Sequence, residues 1–453
     1  MTGQASSLPE RVTVRMHNVG FGDCFLVTFA YAQPLDDGRD ERHILIDFGT
    51  TSRPEGVKVA DIAEQIRTRT AGEIDVVVLT HRHRDHLSAF GTEPIAALLA
   101  DTRAPKLVVR PWTEDPDAAE NFTGGENQPG SRSLAYARSL TDAHGFAEAI
   151  AQKVKARSSR GLSAELRQMA ATQLTNADAV RQLETWAGGK GEYLSYGMKT
   201  KIEDVVPGLS VRVLGPPTIE QHPEVAGQRE SDQQEFWMLY RSLAQSLTGQ
   251  IFKRLATPGL SADQQESLSS HEEPLDLGPT RWIIDKLDRQ GLSSLLRIVR
   301  ILDDQLNNTS LILLFSVDGS GGTKRMLFGG DAQIENWEYA LKHVDVEENL
   351  SLLREIDLYK VGHHGSRNAT PRTLFNLWKE PGSIDHPMAA MMSTKSGVHG
   401  HHPQTAVPRE TLVSALRERT GGNFFTSEEL QGIWVDLTVD TASHAGFAES
   451  GTG

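Results

Sequence analysis

Cysteine is almost absent from this chain, because Cys24 is the only one among 453 residues. A single cysteine excludes an intramolecular disulfide, and such sparse use is typical of proteins that fold in a reducing compartment. The first residues, MTGQASSLPERVTV, also lack a basic segment followed by an apolar stretch, and no apolar run approaches membrane-spanning length. We therefore expect a cytoplasmic protein that does not engage a membrane.

Basic residues are in deficit, with 46 Lys and Arg against 60 Asp and Glu, which gives a net charge of −14. The field of the whole protein should repel polyanions, so that any binding of nucleic acid needs a local cluster of cations. The segment KVKARSSRGLSAELR offers one, with Lys153, Lys155, Arg157, Arg160 and Arg167. Such a run is more often a solvated helix face.

The length exceeds the needs of one simple domain, and the pattern of the chain indicates one scaffold with insertions. Strand-like and helix-like segments alternate up to about residue 113, as in HILIDFG, VADIAEQIRTR and IDVVVLT, and strand-like segments return after about residue 305. Two alanine-rich or amphipathic helical blocks interrupt this pattern. The predicted division is 1–113 and 305–453 for the two halves of an α/β scaffold, 114–201 and 220–304 for two helical insertions, and 202–219 for a scaffold strand between them.

The segment VVVLTHRHRDHLSAF (76–90) carries the most specific chemical pattern. A buried strand is followed within a few residues by His81, His83, Asp85 and His86. Imidazole and carboxylate groups suit zinc, manganese or iron. Because side chains alternate along an extended segment, His81 and His83 can face one ion, while Asp85 and His86 in the following turn can serve a second ion. A polar loop with chance histidines is the alternative, and so dense a cluster argues against it.

Further ligand-type residues follow later strands. Asp331 comes after MLFGG and can bridge two ions, while His363 and His364 follow DLYKVG. The segment GVHGHHPQT adds three more histidines, at positions 399, 401 and 402. The carboxyl ends of strands are where an α/β scaffold builds a site, so we expect these groups to converge.

The segment THRHRDH matches the HxHxDH motif, and the chain resembles the metallo-β-lactamase fold superfamily on this basis. The order of HNVGFGDCFLV, LIDFGT, NNTSLILLF, LFGGDA, KVGHHGSR and GHHP is similar to that of the cytoplasmic domain of ComEC-type DNA-uptake proteins and their soluble relatives. The resemblance covers about 12–111, 209–217 and 307–439. It implies a metallo-β-lactamase-type αββα sandwich, here with two helical insertions.

The resemblance also implies a ligand set for two divalent ions, zinc or manganese. His81 and His83 would bind the first ion, Asp85, His86 and His363 the second, and Asp331 would bridge them. Asp47 would orient a histidine ligand, and Asp23 would lie near the metals. Many members place a further histidine before the bridging aspartate, but His144, His222 and His271 of this interval fall inside the insertions and in no motif. We therefore expect His401 or His402 to complete the first site.

Three residues besides the ligands are candidates for the reaction itself. Asp85 would also position the nucleophilic water. Lys360 can neutralise a substrate oxygen, although a solvated lysine at a strand end is an equal alternative. His364 can protonate a leaving group or orient a ligand, and Ser366 can donate a hydrogen bond to a substrate oxygen.

The leading functional hypothesis is a metal-dependent phosphodiesterase or nuclease that acts on nucleic acid or nucleotides through a metal-bridging hydroxide. The alternatives are hydrolysis of a small carbonyl substrate, such as a lactone, thioester or β-lactam, and a metal-binding subunit that works through a protein partner. The helical insertions would form a lid over the site or bind that partner. Phe236, Trp237, Leu239 and Tyr240 of the second insertion can equally fill a helical core.

Overall fold

The computed structural model describes residues 8–93, 95, 104–156, 164–226, 306–366, 370–380, 387–398 and 407–453. For residues 142–143, 146–156 and 164–175 it describes the backbone alone. The second predicted insertion, 220–304, lies outside these ranges from residue 227 onward, as do its four aromatic and apolar residues at 236–240. The lid that we predict from it therefore remains a prediction.

The first sheet has eight strands in the order β14-β13-β1-β2-β3-β4-β5-β6. Pairing is antiparallel from β14 to β3 and parallel from β3 to β6. The strands are β1 (Pro9–His17), β2 (Cys24–Tyr31), β3 (Glu41–Phe48), β4 (Val76–Val78), β5 (Leu107–Pro111), β6 (Gly191–Leu194), β13 (Trp434–Asp440) and β14 (Ala448–Thr452).

The second sheet has six strands in the order β12-β11-β10-β9-β8-β7. Strands β9, β10, β11 and β12 pair with one another in parallel. Strand β8 pairs antiparallel with β7 on one side and with β9 on the other. The strands are β7 (Leu209–Gly215), β8 (Ile312–Val317), β9 (Lys324–Phe328), β10 (Leu358–Lys360), β11 (Ala389–Met392) and β12 (Phe424–Thr426). The predicted α/β class is thus confirmed, with two mixed sheets.

The helices lie between and after these strands. They are α1 (Val59–Thr70), α2 (Arg84–Leu87), α3 (Ala118–Asn121), α4 (Ser131–Ala156), α5 (Ala164–Ala187), α6 (Ile202–Val205), α7 (Ile334–Glu338), α8 (Val346–Arg354), α9 (Arg372–Phe375) and α10 (Glu410–Arg419). A π-helical turn, Tyr339–His343, continues α7. No helix among the described residues is both long and apolar enough to cross a membrane.

The two sheets face each other across one apolar core. Alternate residues of β3 and β4, such as Ile44, Ile46 and Val76, meet Phe315 and Met391 of the second sheet there. The intervening residues point outward, because successive side chains of a strand lie on opposite faces. Sheet strands buried on both faces read as continuous apolar runs, which explains VVV in β4. Each buried aliphatic side chain contributes about 1.5–3 kcal/mol relative to exposure, so the strand ends are firmly placed.

Helices cover the outer face of each sheet. On the first sheet, α1 and α5 pack against Leu45, Val77 and Val108. On the second sheet, the helices α7, α8, α9 and α10 pack against residues such as Leu314, Leu327 and Tyr359. The part of the chain that we predicted as the first insertion therefore contributes to the layered scaffold. Its α5 buries Leu183 and Trp186 on the first sheet, and β6 extends that sheet beside β5.

His17, at the end of β1, is fully buried, and neither of its ring nitrogens makes a hydrogen bond within the described part of the chain. Burial, with a smaller contribution from Arg15, lowers its pKa to about 3. In the unfolded chain the pKa of an imidazole is near 6.5, so at a pH between about 3 and 6.5 the ring takes up a proton on unfolding. His17 therefore stabilises the fold above pH 6.5, and this stability is lost as the pH falls from 6.5 toward 3.

We expect His17→Leu to flatten the acid side of the stability profile. Between pH 7 and pH 5 the wild-type chain should lose about 2 kcal/mol more free energy of unfolding than the variant, because one proton is worth ~1.4 kcal/mol per pH unit. Urea unfolding of the metal-free proteins at both pH values measures this difference. The exposed His444 supplies the matched control, His444→Leu. Equal slopes for His17→Leu and the wild type would contradict the prediction.

Candidate metal centre

Four strand ends bring polar side chains to one edge of the two-sheet core. Asp47 lies in β3, the segment 79–86 follows β4, Asp331 follows β9, and His363 and His364 follow β10. Strands β3 and β4 are parallel in one sheet, and β9 and β10 are parallel in the other. The sequence expectation that these carboxyl ends converge agrees with the geometry.

The segment after β4 turns sharply into α2. The Thr80 amide donates to Oδ1 of Asp47 at 2.8 Å, which ends the strand ladder. His83 then takes the N-cap position of α2, and the amides of His86 and Leu87 donate to its carbonyl. This places His81 in an extended stretch and both Asp85 and His86 in the first helical turn. The side chains of the four residues therefore converge on one site, although some come from extended backbone and others from a helical turn.

Two ligand groups meet at Asp331. The first group consists of His81, His83 and Asp331, and the second of Asp85, His86, Asp331 and His364; in each, the ligand atoms lie within 4.8 Å of one another. In the first, Nε2 of His81 is 3.9 Å from Oδ2 of Asp331. In the second, that same carboxylate oxygen lies 3.1 Å from Nε2 of His86 and 3.7 Å from Nε2 of His364.

The structure places His364, and not His363, in the second group. Nε2 of His364 lies 3.1 Å from Oδ2 of Asp85, and the side chain is fully buried. Nε2 of His363 is 4.0 Å from Oδ2 of Asp331, and 26% of its side chain is exposed. Both residues have positive φ, 44° and 51°. The alternation of side chains along a strand therefore does not predict which of these two residues faces the site.

Buried partners fix three of the imidazoles. Nδ1 of His86 lies 2.7 Å from Oδ2 of Asp47, and Nδ1 of His364 lies 2.9 Å from the carbonyl of Ser393. Nδ1 of His81 lies 3.2 Å from the Thr80 hydroxyl. A carbonyl oxygen only accepts, so Nδ1 of His364 donates. Its Nε2 is then directed at the carboxylates of Asp85 and Asp331. Such outer contacts hold the tautomer and orientation that a metal ligand needs.

Charge is concentrated here, and the pKa directions follow from it. Burial lowers the pKa of His86, but Asp331, Asp47 and Asp23 outweigh this and hold it well above its ordinary value. Burial raises the pKa of Asp331, but His86 and His364 outweigh this and hold it well below its ordinary range. The balance is reversed at His81, where burial and His86 keep the pKa well below 6.5. Asp331 and His86 thus stabilise each other's charged forms.

The donor set and its packing fit divalent cations. Nε2 of His81 is buried and makes no hydrogen bond within the described residues. Nε2 of His364, whose Nδ1 donates to the Ser393 carbonyl, lies 3.1 Å from Oδ2 of Asp85, so these two ligand atoms are close enough to share one cation. Nitrogen and carboxylate oxygen are the ligands of zinc and manganese sites. Six residues, of which Asp331 is common to both groups, therefore offer ligands for two ions.

Lys360 lies behind these groups and not on the open side. Its side chain is 3% exposed and forms an ion pair with Asp23, and Nζ donates to the carbonyl of Gly330 at 3.2 Å. Burial lowers the pKa of Lys360, but Asp23 and Asp331 outweigh this and raise it. Lys360 is therefore a buried cation that compensates the carboxylates.

The open side of the site carries His363 with two polar neighbours. Nδ1 of His363 lies 3.0 Å from the Ser366 hydroxyl, and Nε2 lies 3.4 Å from Nδ2 of Asn307. Burial lowers the pKa of His363 to about 4, so the ring is neutral at neutral pH. These side chains line the edge of the site without belonging to either ligand group.

The other predicted residues are distributed as follows. Asp23, Asp47, Asp85, Asp331, Lys360 and Ser366 all join the site. His399, His401 and His402 fall outside the described residues, so completion of the first site by His401 or His402 stays a prediction. His144 lies on α4 and contacts the Leu140 carbonyl. Sequence inspection missed Thr80, Ser393 and Asn307. A polar residue directly after a strand, as Ser393 is after β11, was the available indication.

A close backbone contact positions α2. A Cβ on Gly49 would lie 2.4 Å from the carbonyl carbon of Asp85 and from the amide nitrogen of His86. Since real Cβ atoms do not approach backbone so closely, Gly49 must remain glycine for Asp85 and His86 to keep their places. The amide of Asp23 also donates to the Asp85 carbonyl at 2.8 Å, so the loop after β1 holds the same turn.

We expect Gly49→Ala to weaken divalent metal binding by at least about tenfold, because the added methyl group displaces the backbone of two ligands and metal sites tolerate little displacement. Zinc titration against a chromophoric chelator measures the affinity. Gly145→Ala is the matched control, since a Cβ there meets nothing within 4 Å. Wild-type affinity in folded Gly49→Ala would contradict this dependence.

Comparison with known proteins identifies no family for this chain. A scan against protein-family models gives no match, and a search of curated proteins gives none either. The two ligand groups that share Asp331, and the partners that orient them, are therefore the basis on which a function is assigned to this chain.

Proposed function

We propose that this chain is a dinuclear metal-dependent hydrolase of the metallo-β-lactamase superfamily that cleaves phosphodiesters in nucleic acid or nucleotides. One observation carries the proposal: two groups of buried metal-ligand side chains share the carboxylate of Asp331. Two ions that share a carboxylate are the arrangement used for hydrolysis of phosphate esters and amides.

The proposed ligands of the first ion are His81, His83 and Asp331, and those of the second are Asp85, His86, His364 and Asp331. The proposed ions are zinc or manganese, which accept nitrogen and carboxylate donors. When bound, they supply Lewis acidity and lower the pKa of a water molecule toward neutrality. Asp47, Ser393 and Thr80 orient the imidazoles from behind.

The layered architecture supports the superfamily. Two mixed sheets enclose one apolar core, helices cover both outer faces, and the ligand groups lie at one edge of the sheets. Such layering is what an αββα sandwich requires, and it supports that part of the proposal. The motif HRHRDH then occupies the turn after β4, directly at this edge.

The roles of the residues around the ligands follow from their exposure. Asp85 is 14% exposed and borders the open side, so it both binds the second ion and orients the attacking water. His363 reaches solvent beside Asn307 and Ser366, so it contacts the substrate. Lys360 is a positioning residue, since it acts through Asp23 and the Gly330 carbonyl and touches no solvent-facing group.

The motif order similar to ComEC-type domains supports a phosphodiester substrate. Donors at the edge of the site suit anionic oxygens: Nδ2 of Asn307 and the Ser366 hydroxyl lie beside His363. The net charge of −14 disfavours indiscriminate binding to long polyanions. Nucleotides and short nucleic-acid ends fit these constraints better than duplex DNA.

Hydrolysis assays test the proposal. We expect the protein, loaded with zinc or manganese, to hydrolyse bis-p-nitrophenyl phosphate and to lose this activity to a chelator. Asp85→Ala should lower the rate by at least about a hundredfold, or ~2.7 kcal/mol of barrier. Asp36→Ala is the matched control, because Asp36 is exposed and distant in the sequence from every ligand. Turnover of a lactone panel without turnover of the phosphodiester would refute the substrate class.

The two adjacent histidines provide a sharper comparison. We expect His364→Ala to bind one metal ion fewer per chain than the wild type, because it removes a ligand of the second group. His363→Ala should keep the wild-type number of ions and lose turnover, because that side chain faces the open side. Elemental analysis after dialysis, with hydrolysis rates on the same samples, separates the two roles. A wild-type metal count in His364→Ala and one ion fewer in His363→Ala would reverse the assignment.

A further inference from the structure

A second set of metal-ligand side chains lies away from the dinuclear groups. His222, Glu338 and His343 each place one ligand atom within 4.8 Å of the others. Nε2 of His222 is 4.0 Å from Oε2 of Glu338, and the rings of His222 and His343 are 5.0 Å apart. His222 and Glu338 are 5% exposed each, whereas His343 is at the surface. None of these residues belongs to the site at Asp331.

The π-helical turn explains how two of these residues meet. Glu338 and His343 are five positions apart, which on an α-helix of 3.6 residues per turn would place them about 140° apart. In this chain the turn is widened, and the Val344 amide donates to the carbonyl of Tyr339, five residues earlier. The extra residue carries His343 round toward Glu338. Single π turns of this kind occur frequently at functional sites.

Neighbouring side chains prepare the donors. Nδ1 of His222 lies 3.2 Å from Oε2 of Glu224, so that a carboxylate holds the ring with Nε2 toward Glu338. This carboxylate–imidazole arrangement is the usual support of a histidine ligand. Lys342 contacts Oε1 of Glu338 at 3.2 Å and leaves the other oxygen toward His222. Tyr339 stacks on His343, with ring centroids 6.5 Å apart.

We propose that His222, Glu338 and His343 bind one zinc ion, with water in the remaining position. Two imidazoles and one carboxylate form a donor set that zinc accepts in tetrahedral geometry. The ion would join the turn Pro223–Ala226 to the helix that begins three residues after Asp331. The site is structural in this role and does not depend on the proposed hydrolase activity.

Zinc counting in a chain without the shared carboxylate tests this site alone. We expect metal-stripped Asp331→Ala, reconstituted with zinc and dialysed, to retain the ion at this second site. Asp331→Ala combined with His343→Ala should retain one ion fewer than Asp331→Ala alone, and Asp331→Ala combined with His444→Ala should retain the same number. His444 is exposed and outside every ligand group, so it is the matched control. Failure of the dinuclear proposal would leave these counts unchanged.

Affinity adds a graded measurement in the same Asp331→Ala chain. Competition with a chromophoric chelator should show zinc bound at least about a hundredfold more weakly after His343→Ala, and about tenfold more weakly after Glu224→Gln, which removes only a supporting carboxylate. His343 is at the surface, so its variant should fold, and circular dichroism verifies this. Equal zinc affinity with and without His343→Ala would overturn the proposal.

Discussion

The burial of Asp331 is the constraint on which the site depends. Asp331 is 1% exposed. The charged groups of His86, His364 and Lys360 lie close enough to its carboxylate to form ion pairs with it. An isolated buried carboxylate would cost several kcal/mol and would take up a proton instead. It stays ionised because cations surround it, and those cations in turn need further carboxylates behind them. Asp23, Asp47 and Asp85 supply these, so that the network is closed only when all strand ends are in place.

The apolar layers make this concentration of charge tolerable. The strands are held by a core common to both sheets and by helices on each outer face, so their ends are fixed before any ligand binds. Backbone contacts extend this precision to the turns, as Gly49 against Asp85 and His86 shows. Interiors packed at crystal-like density transmit small displacements. Metal ligands must be placed to within tenths of an ångström. Loops can therefore carry such ligands only where they directly follow the ends of rigid strands.

The sequence allowed the strand ends and most of the site to be predicted, because buried strands followed by His or Asp are a local pattern. It could not order His363 and His364, since both adopt left-handed backbone geometry and lose the alternation of a strand. It also could not show that α5 packs on the first sheet, because an alanine-rich helix reads alike in an insertion and in an outer layer. The set at His222 was hidden for another reason: it joins residues 116 positions apart through a π-helical turn that no spacing rule anticipates.

The exposure of the side chains gives a direction of approach for the proposed hydrolase. His81, His86 and His364 are fully buried, whereas His83, Asp85 and His363 retain some contact with solvent. Under the proposed function, a substrate would therefore approach between His83 and His363, over Asp85, and not from the side of Asp23 and Lys360. Asn307 and Ser366 are themselves buried and support His363 through contacts with its two ring nitrogens. In the proposed enzyme the buried side would maintain charge balance and orientation and the exposed side would contact the substrate, so changes that alter selectivity without loss of metal would be confined to the exposed side.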